Sequence, residues 1–292
     1  MIISPENTVV GFIGAGVMGT SMANHILNAG YRLHVYTRTK EKALSVCQNG
    51  GVWENSAADI AEKCNVIITI VGFPADVESI YLKSDGIIEN AQQNSIVIDM
   101  TTSSPLLALK IYEAAQKRSV HALDAPVSGG DVGAKNAALS IMVGGDKEIF
   151  QAVKPIFDVI GKNIELQGRA GSGQHTKMVN QIAIAAGMLG LCESLAYAVK
   201  AGLDPETVLK SIGSGAAASW SLNNLGPRII KGDFAPGFYV KHFIKDMAIA
   251  LESAEEMGLE LPGLNLAKSL YDKLAQKGYE LDGTQALYRL FI

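Results

Sequence analysis

The sequence predicts two domains: a mostly parallel, doubly wound α/β domain, then an all-α domain that begins with a long helix. Three observations lead to this prediction. Short apolar runs alternate with helical segments between Val9 and Leu166, strand signals stop near residue 170, and the later segments have helical spacing. The chain has 292 residues, 48% of them hydrophobic, which is enough for two cores. We place the domains at residues 1–168 and 169–292.

The first domain consists of β-rich runs separated by helical runs. Strands are predicted at Val9–Ile13, Arg32–Tyr36, Val66–Val71, Ser95–Asp99, His121–Ala125, Ser140–Gly144 and Ile164–Leu166. Helices are predicted at Gly19–Asn28, Lys40–Gln48, Ser56–Lys63, Asp76–Tyr81, Pro105–Lys117 and Lys147–Ile160. Because the strands are largely apolar, they indicate a parallel sheet that helices cover on both faces.

The second domain has helical spacing throughout. Its predicted helices are Gly171–Lys200, Pro205–Gly213, Ser221–Ile230, His242–Met257 and Pro262–Gln276. Asp204 is suited to cap the second of them, with Pro205 in the first helical position. The apolar run Gln181–Val199 contains Glu193 and several small residues, so it indicates a buried core helix rather than a membrane span.

Charge and cysteine content narrow the class of protein. The net charge is −4 and no Lys/Arg-rich run occurs, which argues against a nucleic-acid partner. The three cysteines have no metal-binding or redox spacing, and the first residues lack a signal-peptide pattern. We therefore expect a soluble, cytoplasmic protein without a bound metal or a membrane partner.

A glycine-rich turn follows the first strand. The run has the pattern G-x-G-x-x-G, in which Gly14 makes the tight turn, Gly16 admits a pyrophosphate and Gly19 allows close helix packing. Such a turn between a strand and a helix predicts a Rossmann-type dinucleotide site at the helix N-terminus. The residues expected to meet the cofactor here are Gly14, Ala15, Gly16, Val17, Met18 and Gly19.

The end of the second strand indicates which dinucleotide binds. An acidic residue there would hold the ribose 2′-hydroxyl of NAD, but this chain has Thr37, Arg38 and Thr39. Because Arg38 could pair with a 2′-phosphate, the sequence favours NADP over NAD. The alternative is that Arg38 is a solvated surface residue. Further cofactor contacts are expected at strand ends, from Val71, Gly72, Phe73 and Thr102; Thr102 could instead cap the helix that starts at Pro105.

Three segments could handle the reacting groups. Ser128, Gly129 and Gly130 follow a strand and offer a hydroxyl and backbone N–H groups to an anion, unless they form only a flexible loop. Lys177 and Asn180 share a helix face among apolar neighbours, a setting in which a lysine suits acid/base chemistry, although a lysine near a helix start is more often at the surface.

The third segment is Lys245 and Asp246, early in a helix of the second domain. Lys245 could reach the cofactor and substrate, or the two residues could form an ordinary solvated ion pair. His175 has no recognisable acidic partner in the sequence. We interpret it as a structural or exposed histidine.

Four motifs in order give the chain a family resemblance. They are G-F-I-G-A-G-V-M-G from Gly11, D-A-P-V-S-G-G from Asp124, G-S-G-Q-H-T-K-M-V-N from Gly171 and K-D-M from Lys245. Together they resemble the β-hydroxyacid dehydrogenases, which include 3-hydroxyisobutyrate dehydrogenase, tartronate semialdehyde reductase and glyoxylate/succinic semialdehyde reductases. The resemblance implies hydride transfer between NAD(P) and a small 3-hydroxyacid or carboxylate semialdehyde, without a metal, in a homodimer or homotetramer formed through the helical domain.

The resemblance also implies residue roles. Lys177 would be the catalytic acid/base, with Asn180 beside it. Ser128, Gly129, Gly130, Asn180 and Lys245 would bind substrate, and Lys245, Asp246, Thr102 and the glycine turn would meet the cofactor. Three alternatives share this architecture: an imine reductase, which commonly replaces the lysine; a decarboxylating dehydrogenase of the 6-phosphogluconate type, which would be longer; and a non-catalytic NAD(P)-binding module.

Overall fold

The computed structural model describes residues 3–292 and divides the chain into two compact units. The first unit ends at Lys177 and the second is Met178–Ile292. The first contains every strand in the described part of the chain, and the second is helical. This is the order of an α/β domain and an all-α domain that the sequence predicts.

The first unit is built on one twisted sheet. Its strands are β1 (Val9–Ile13), β2 (Arg32–Tyr36), β3 (Val52–Trp53), β4 (Val66–Thr69), β5 (Ile96–Asp99), β6 (His121–Asp124), β7 (Val127–Ser128), β8 (Leu139–Gly144) and β9 (Gly161–Gly168). The spatial order is β3-β2-β1-β4-β5-β6-β8-β7, and β9 pairs with β8. All neighbours are parallel except β8, which runs antiparallel to β6 and β7.

Helices cover both faces of this sheet. They are α1 (Val17–Asn28), α2 (Leu44–Gln48), α3 (Ala57–Lys63), α4 (Pro74–Leu82), α5 (Ile87–Asn90), α6 (Pro105–Lys117), α7 (Gly130–Lys135) and α8 (Lys147–Ile160). Successive strand residues point to opposite sides, so Phe12 packs in the core on one face and Ile13 in the core on the other. The two separate cores confirm the predicted doubly wound arrangement.

Several short elements depart from the sequence prediction. The predicted helix Lys40–Gln48 is a 3₁₀ turn over Lys40–Ala43 followed by α2. The elements β3, α5, β7 and α7 were not predicted, because a strand of two residues shows no alternation and a helix of four or six residues is too short to display the helical period. The last strand, β9, is longer than the predicted Ile164–Leu166.

The second unit packs helices around its own core. Beginning with the helix that crosses the unit boundary, they are α9 (Ser172–Lys200), α10 (Pro205–Ile212), α11 (Trp220–Ile230), α12 (Val240–Glu256) and α13 (Pro262–Gln276), followed by a 3₁₀ segment at Thr284–Leu290. As predicted, the Asp204 carboxylate caps α10 by accepting hydrogen bonds from the N–H groups of Glu206 and Thr207. In the core, the rings of Phe243 and Tyr271 meet edge to face at 5.1 Å.

Helix α9 is half buried. Met188, Cys192 and Leu195 belong to the core of the second unit, whereas Val179 is 66% exposed and Tyr197 75% exposed. Within the described residues, α9 is the one helix whose length and apolar composition would allow it to cross a membrane, and 39% of its most apolar window is buried. The sequence predicted a buried core helix here, but only one face of α9 meets the core.

Candidate functional site

The carboxyl ends of four adjacent strands form one edge of the first unit's sheet. Strands β1, β4, β5 and β6 are parallel neighbours, so the segments that follow them emerge on the same side. Ligands bind at this edge in open α/β sheets, at the point where the strand order reverses. That reversal occurs at β1, which has β2 on one side and β4 on the other.

The glycine turn after β1 has the shape that a pyrophosphate requires. Gly14 has a φ of 106°, and a Cβ there would collide with the carbonyl of Ile70. A Cβ on Gly19 would collide with the carbonyl of Gly14. By contrast, a Cβ on Gly16 would meet nothing within 4 Å, and no side chain caps the N-terminus of α1 that it precedes. The open space over Gly16 at a helix N-terminus fits an incoming phosphate.

The segments after β4 and β5 are joined by a hydrogen bond. The backbone N–H of Val71 donates to Oγ1 of Thr101, at 3.0 Å. Phe73, which precedes α4, is 42% exposed. The cap of α6 is the hydroxyl of Ser104, which accepts from the N–H of Leu107. The alternative in which Thr102 caps this helix is therefore wrong, and Thr102 lies in the segment that joins β5 to that cap.

Arg38, which follows the end of β2, forms an ion pair with Asp76. Its Nη1 lies 2.9 Å from Oδ1 of Asp76 in the first turn of α4, and its side chain is 78% exposed. The other oxygen of Asp76 is buried without a hydrogen-bond partner among the described residues. Nearby, Nζ of Lys40 lies 5.2 Å from the ring centroid of Trp53. Arg38 is thus exposed but held in place, with a second cation close to it in the chain.

Ser128, Gly129 and Gly130 are not a flexible loop. Ser128 pairs with Ser140 in the sheet, and Gly130 begins α7. Gly129 and Gly130 both have positive φ, 130° and 62°, a backbone shape that side chains rarely adopt. Helix α7 also meets α1 through the ring nitrogen Nε2 of His25, which lies 3.1 Å from the carbonyl of Ala134. This contact brings the predicted substrate segment beside the helix that follows the glycine turn.

The start of α9 is fixed to the same sheet edge. Asp124, the last residue of β6, accepts hydrogen bonds of 2.8 Å from the N–H groups of Gly171 and Gln174, one on each carboxylate oxygen. Burial raises the pKa of Asp124, and these donors oppose the rise. One turn further along α9, Lys177 is 6% exposed. The predicted catalytic lysine is therefore buried, and the alternative of a surface lysine is wrong.

Asp99, at the end of β5, is a second buried carboxyl group at this edge. It pairs in register with Asp124 and accepts hydrogen bonds from Oγ1 of Thr69, at 2.9 Å, and from the N–H of Thr101, at 3.0 Å. Burial, with a smaller contribution from the charge of Asp124, raises the pKa of Asp99 to about 6. The same Thr69 hydroxyl lies 2.9 Å from the hydroxyl of buried Tyr81.

In the second unit, one hydrogen-bonded chain joins the predicted residues. Nδ2 of Asn180 donates to Oε1 of Gln181 at 2.7 Å, and Nε2 of Gln181 donates to Oδ2 of Asp246 at 2.6 Å. Nζ of Lys245 lies 2.9 Å from Oδ1 of Asp246, with the two side chains 12% and 1% exposed. The pair is therefore buried, and the alternative of a solvated Lys245–Asp246 pair is wrong. His175 is exposed, as predicted.

Sequence reasoning assigned no role to Asp76, Asp99, Gln174 or Gln181, nor to the carboxylate of Asp124. One signal was available. Asp99 and Asp124 each end an apolar run, and a charged residue in that position is expected at the end of a strand rather than inside it. The glutamines carry no such signal, because their partners are distant in sequence. No group of three His, Cys, Asp or Glu residues suited to a metal ion occurs among residues 3–292.

Two known sequence families match consecutive parts of the chain. Residues 9–168 match the NAD-binding domain of 6-phosphogluconate dehydrogenase. Residues 171–291 match the family described as NAD-binding of NADP-dependent 3-hydroxyisobutyrate dehydrogenase. Together they span both units.

Similar proteins match over nearly the whole length. An uncharacterized oxidoreductase, YkwC, of Bacillus subtilis is 64% identical over 97% of this chain and 98% of its own. A probable mitochondrial 3-hydroxyisobutyrate dehydrogenase-like protein of Arabidopsis thaliana is 47% identical, covering 98% of this chain and 86% of its own. The 2-hydroxy-3-oxopropionate reductase of Escherichia coli is 37% identical over 92% of each. The solved 3-hydroxyisobutyrate dehydrogenase of Mycobacterium tuberculosis with L-serine has a TM-score of 0.89 and 27% identity, covering 97% of this chain and 98% of its own.

Proposed function

The chain belongs to the 3-hydroxyisobutyrate dehydrogenase family of NAD(P)-dependent β-hydroxyacid dehydrogenases, and we propose that it interconverts a small 3-hydroxyacid and its semialdehyde with Lys177 as the acid/base. The observation that carries this proposal is the burial of Lys177, 6% exposed, one turn after the point where Asp124 holds α9 against the sheet edge. A buried ammonium group is costly unless it interacts with other groups, and it is a usual source of acid/base chemistry.

Each residue has a proposed role that follows from its chemistry. The nicotinamide, when bound, supplies or accepts the hydride. Protonated Lys177 would donate its proton to the aldehyde oxygen of the substrate as negative charge grows there, and neutral Lys177 would take the hydroxyl proton in the reverse direction. The hydroxyl of Ser128 and the N–H groups of Gly129 and Gly130 would hold the substrate carboxylate. Asn180 would orient the substrate beside the lysine.

The relatives support a proposal for the substrate class. The names of three of them specify 3-hydroxyisobutyrate or 2-hydroxy-3-oxopropionate, which are small carboxylic acids, and the Mycobacterium tuberculosis structure contains L-serine, a 3-hydroxy acid. We infer that this chain acts on a carboxylate with a hydroxyl or aldehyde carbon at the 3-position. The carboxylate requirement distinguishes it from an imine reductase.

An absorbance assay at the reduced-nicotinamide band tests the proposal. We would offer a panel of small 3-hydroxyacids with NADP or NAD, and the matching semialdehydes with the reduced forms. Lys177→Ala is expected to lower kcat by about two decades or more while the cofactor affinity, from reduced-nicotinamide fluorescence, stays nearly unchanged. Lys154→Ala, which changes a half-exposed lysine of α8, is the matched control. Undiminished turnover by the Lys177 variant would remove that residue from the mechanism.

We also propose a homodimer or homotetramer that covers the exposed face of α9. That face includes Val179 and Tyr197, 66% and 75% exposed, and Gly187 and Gly190, where a Cβ would have no neighbour within 4 Å. Exposed apolar and small residues along one face of a helix are typical of a surface that meets another chain. Light scattering coupled to size exclusion should give a mass of two or four chains, and Gly190→Glu should lower it. A monomeric mass for the unmodified chain would end this part of the proposal.

A further inference from the structure

Gln174 is a fully buried polar residue in the first turn of α9, with no exposed surface. Its side-chain amide makes two hydrogen bonds to the segment after β5. Nε2 donates to the carbonyl of Thr101 at 2.7 Å, and Oε1 accepts from the N–H of Ser103 at 2.9 Å. Because the Gln174 amide donates to one backbone carbonyl and accepts from one backbone N–H of the same segment, the orientation of its side chain is fixed.

The backbone partners of Gln174, in Thr101 and Ser103, lie on either side of Thr102, which is a predicted cofactor contact. Thr101 accepts the hydrogen bond from Val71 through Oγ1, and its own N–H donates to Asp99. The backbone N–H of Gln174 is bonded to Asp124. Gln174 therefore ties the start of α9 to the ends of β5 and β6 and, through Thr101, to the end of β4. All of these atoms lie in the first unit.

We propose that Gln174 is a positioning residue that sets the distance between Lys177 and the nicotinamide end of the dinucleotide site. Lys177 follows Gln174 by three residues, so the two lie on the same side of one helical turn. A shift of α9 against the Thr101–Ser103 segment moves the lysine by a similar amount. Misplacement of about 1 Å at a reacting group can cost a hundredfold in rate. This inference rests on the proposed acid/base role of Lys177.

Three variants test the inference. Gln174→Met keeps the size of the side chain but removes both hydrogen bonds. Gln174→Glu keeps the acceptor for Ser103, and it regains the donor toward Thr101 only when its carboxyl is protonated. Ser103→Ala is the control, because the Ser103 hydroxyl has no hydrogen-bond partner among the described residues and its backbone N–H is unaffected.

Gln174→Met should lower kcat at least about tenfold, with the KM for cofactor and the fluorescence-measured cofactor affinity within about threefold. Ser103→Ala should keep the unmodified kcat. In Gln174→Glu, burial and the nearby carboxylates of Asp99 and Asp124 favour protonation of the new carboxyl, against the opposite influence of Lys177. Its kcat relative to that of Gln174→Met should therefore rise as pH falls from about 8.5 to about 6. A residue that only stabilises the fold would not give this pH-dependent rescue.

Hydrogen exchange provides a readout that does not depend on turnover. In Gln174→Met, amides of residues 171–178 and 101–104 should exchange at least about tenfold faster than in the unmodified chain, and amides of α8 should not. Unchanged exchange overturns the inference, as does faster exchange with an unchanged kcat. If the unmodified chain turns over no member of the substrate panel, the proposed function fails first and this inference fails with it.

Discussion

Replacing Asp99 by asparagine should remove a pH dependence from the stability of the first unit. The free energy of unfolding of the unmodified chain should fall between acidic and neutral pH, and that of the variant should fall less. Burial raises the pKa of this carboxyl from 3.8 to about 6. The folded state therefore keeps a proton that the unfolded chain has already released between these two values. The stabilisation is fully present below pH 3.8 and is lost as the pH rises through about 6.

The magnitude follows from the size of the shift. A difference of about 2 pKa units at about 1.36 kcal/mol each gives roughly 3 kcal/mol. The asparagine side chain cannot ionise, so the free energy of unfolding of the variant, minus that of the unmodified chain, should rise by up to this amount between about pH 4 and pH 7.5. Its amide oxygen can still accept from Thr69 and Thr101. Any free-energy cost of replacing the other carboxylate oxygen by the amide nitrogen does not depend on pH, so it does not affect this difference.

Urea unfolding followed by tryptophan fluorescence measures this difference. The chain has two tryptophans, Trp53 in the first unit and Trp220 in the second. A Trp220→Phe background therefore lets the first unit be observed alone. The control is Asp158→Asn, at a half-exposed carboxylate paired with Lys154, where the change should stay below about 1 kcal/mol. Curves for the Asp99 variant and the unmodified chain that remain parallel from pH 4 to pH 7.5 would refute the reasoning.

Four further substitutions have expected outcomes. Arg38→Ala should weaken NADP binding at least about tenfold and leave NAD binding unchanged, as judged by fluorescence titration of both cofactors; equal effects would refute a 2′-phosphate contact. Gly16→Ala should weaken cofactor binding while the melting temperature stays constant, because its Cβ meets no protein atom, whereas Gly14→Ala should lower both. Tyr271→Phe leaves the carbonyl of Thr284 without its 2.7 Å hydrogen bond and should cost about 1–3 kcal/mol in urea unfolding.

The sequence predicted the strongly patterned elements most accurately. The bounds of β1, β2, α6, α8 and α13 agree with the structure, because each combines an apolar pattern with turn residues or a proline at its start. Several short elements were not predicted because they lack such a pattern. Gly129 and Gly130 were expected to offer N–H groups to an anion, but the helix α7 that begins at Gly130 was not predicted, since glycine content indicates backbone freedom and not which conformation is used.

In the candidate site too, features that depend on neighbouring residues could be predicted and features that depend on distant residues could not. The glycine turn could be predicted because its three glycines are local requirements of one strand, one turn and one helix. The burial of Lys177 could only be suspected, because its exposure depends on what packs around the start of α9. The tie between Gln174 and Thr101 joins positions 73 residues apart. No local pattern specifies such a partner.

The sequence by itself determined the order of the two domains, the strand that leads into the dinucleotide turn, and the residue types available for proton transfer. These properties depend on the periodicity and conformational preferences of neighbouring residues. Only the tertiary structure decided that Asp99 and Asp124 lie side by side, that Arg38 is held by Asp76, and that Gln174 ties α9 to the sheet edge. The physical reason is that burial and hydrogen bonding are properties of residues brought together from distant parts of the chain.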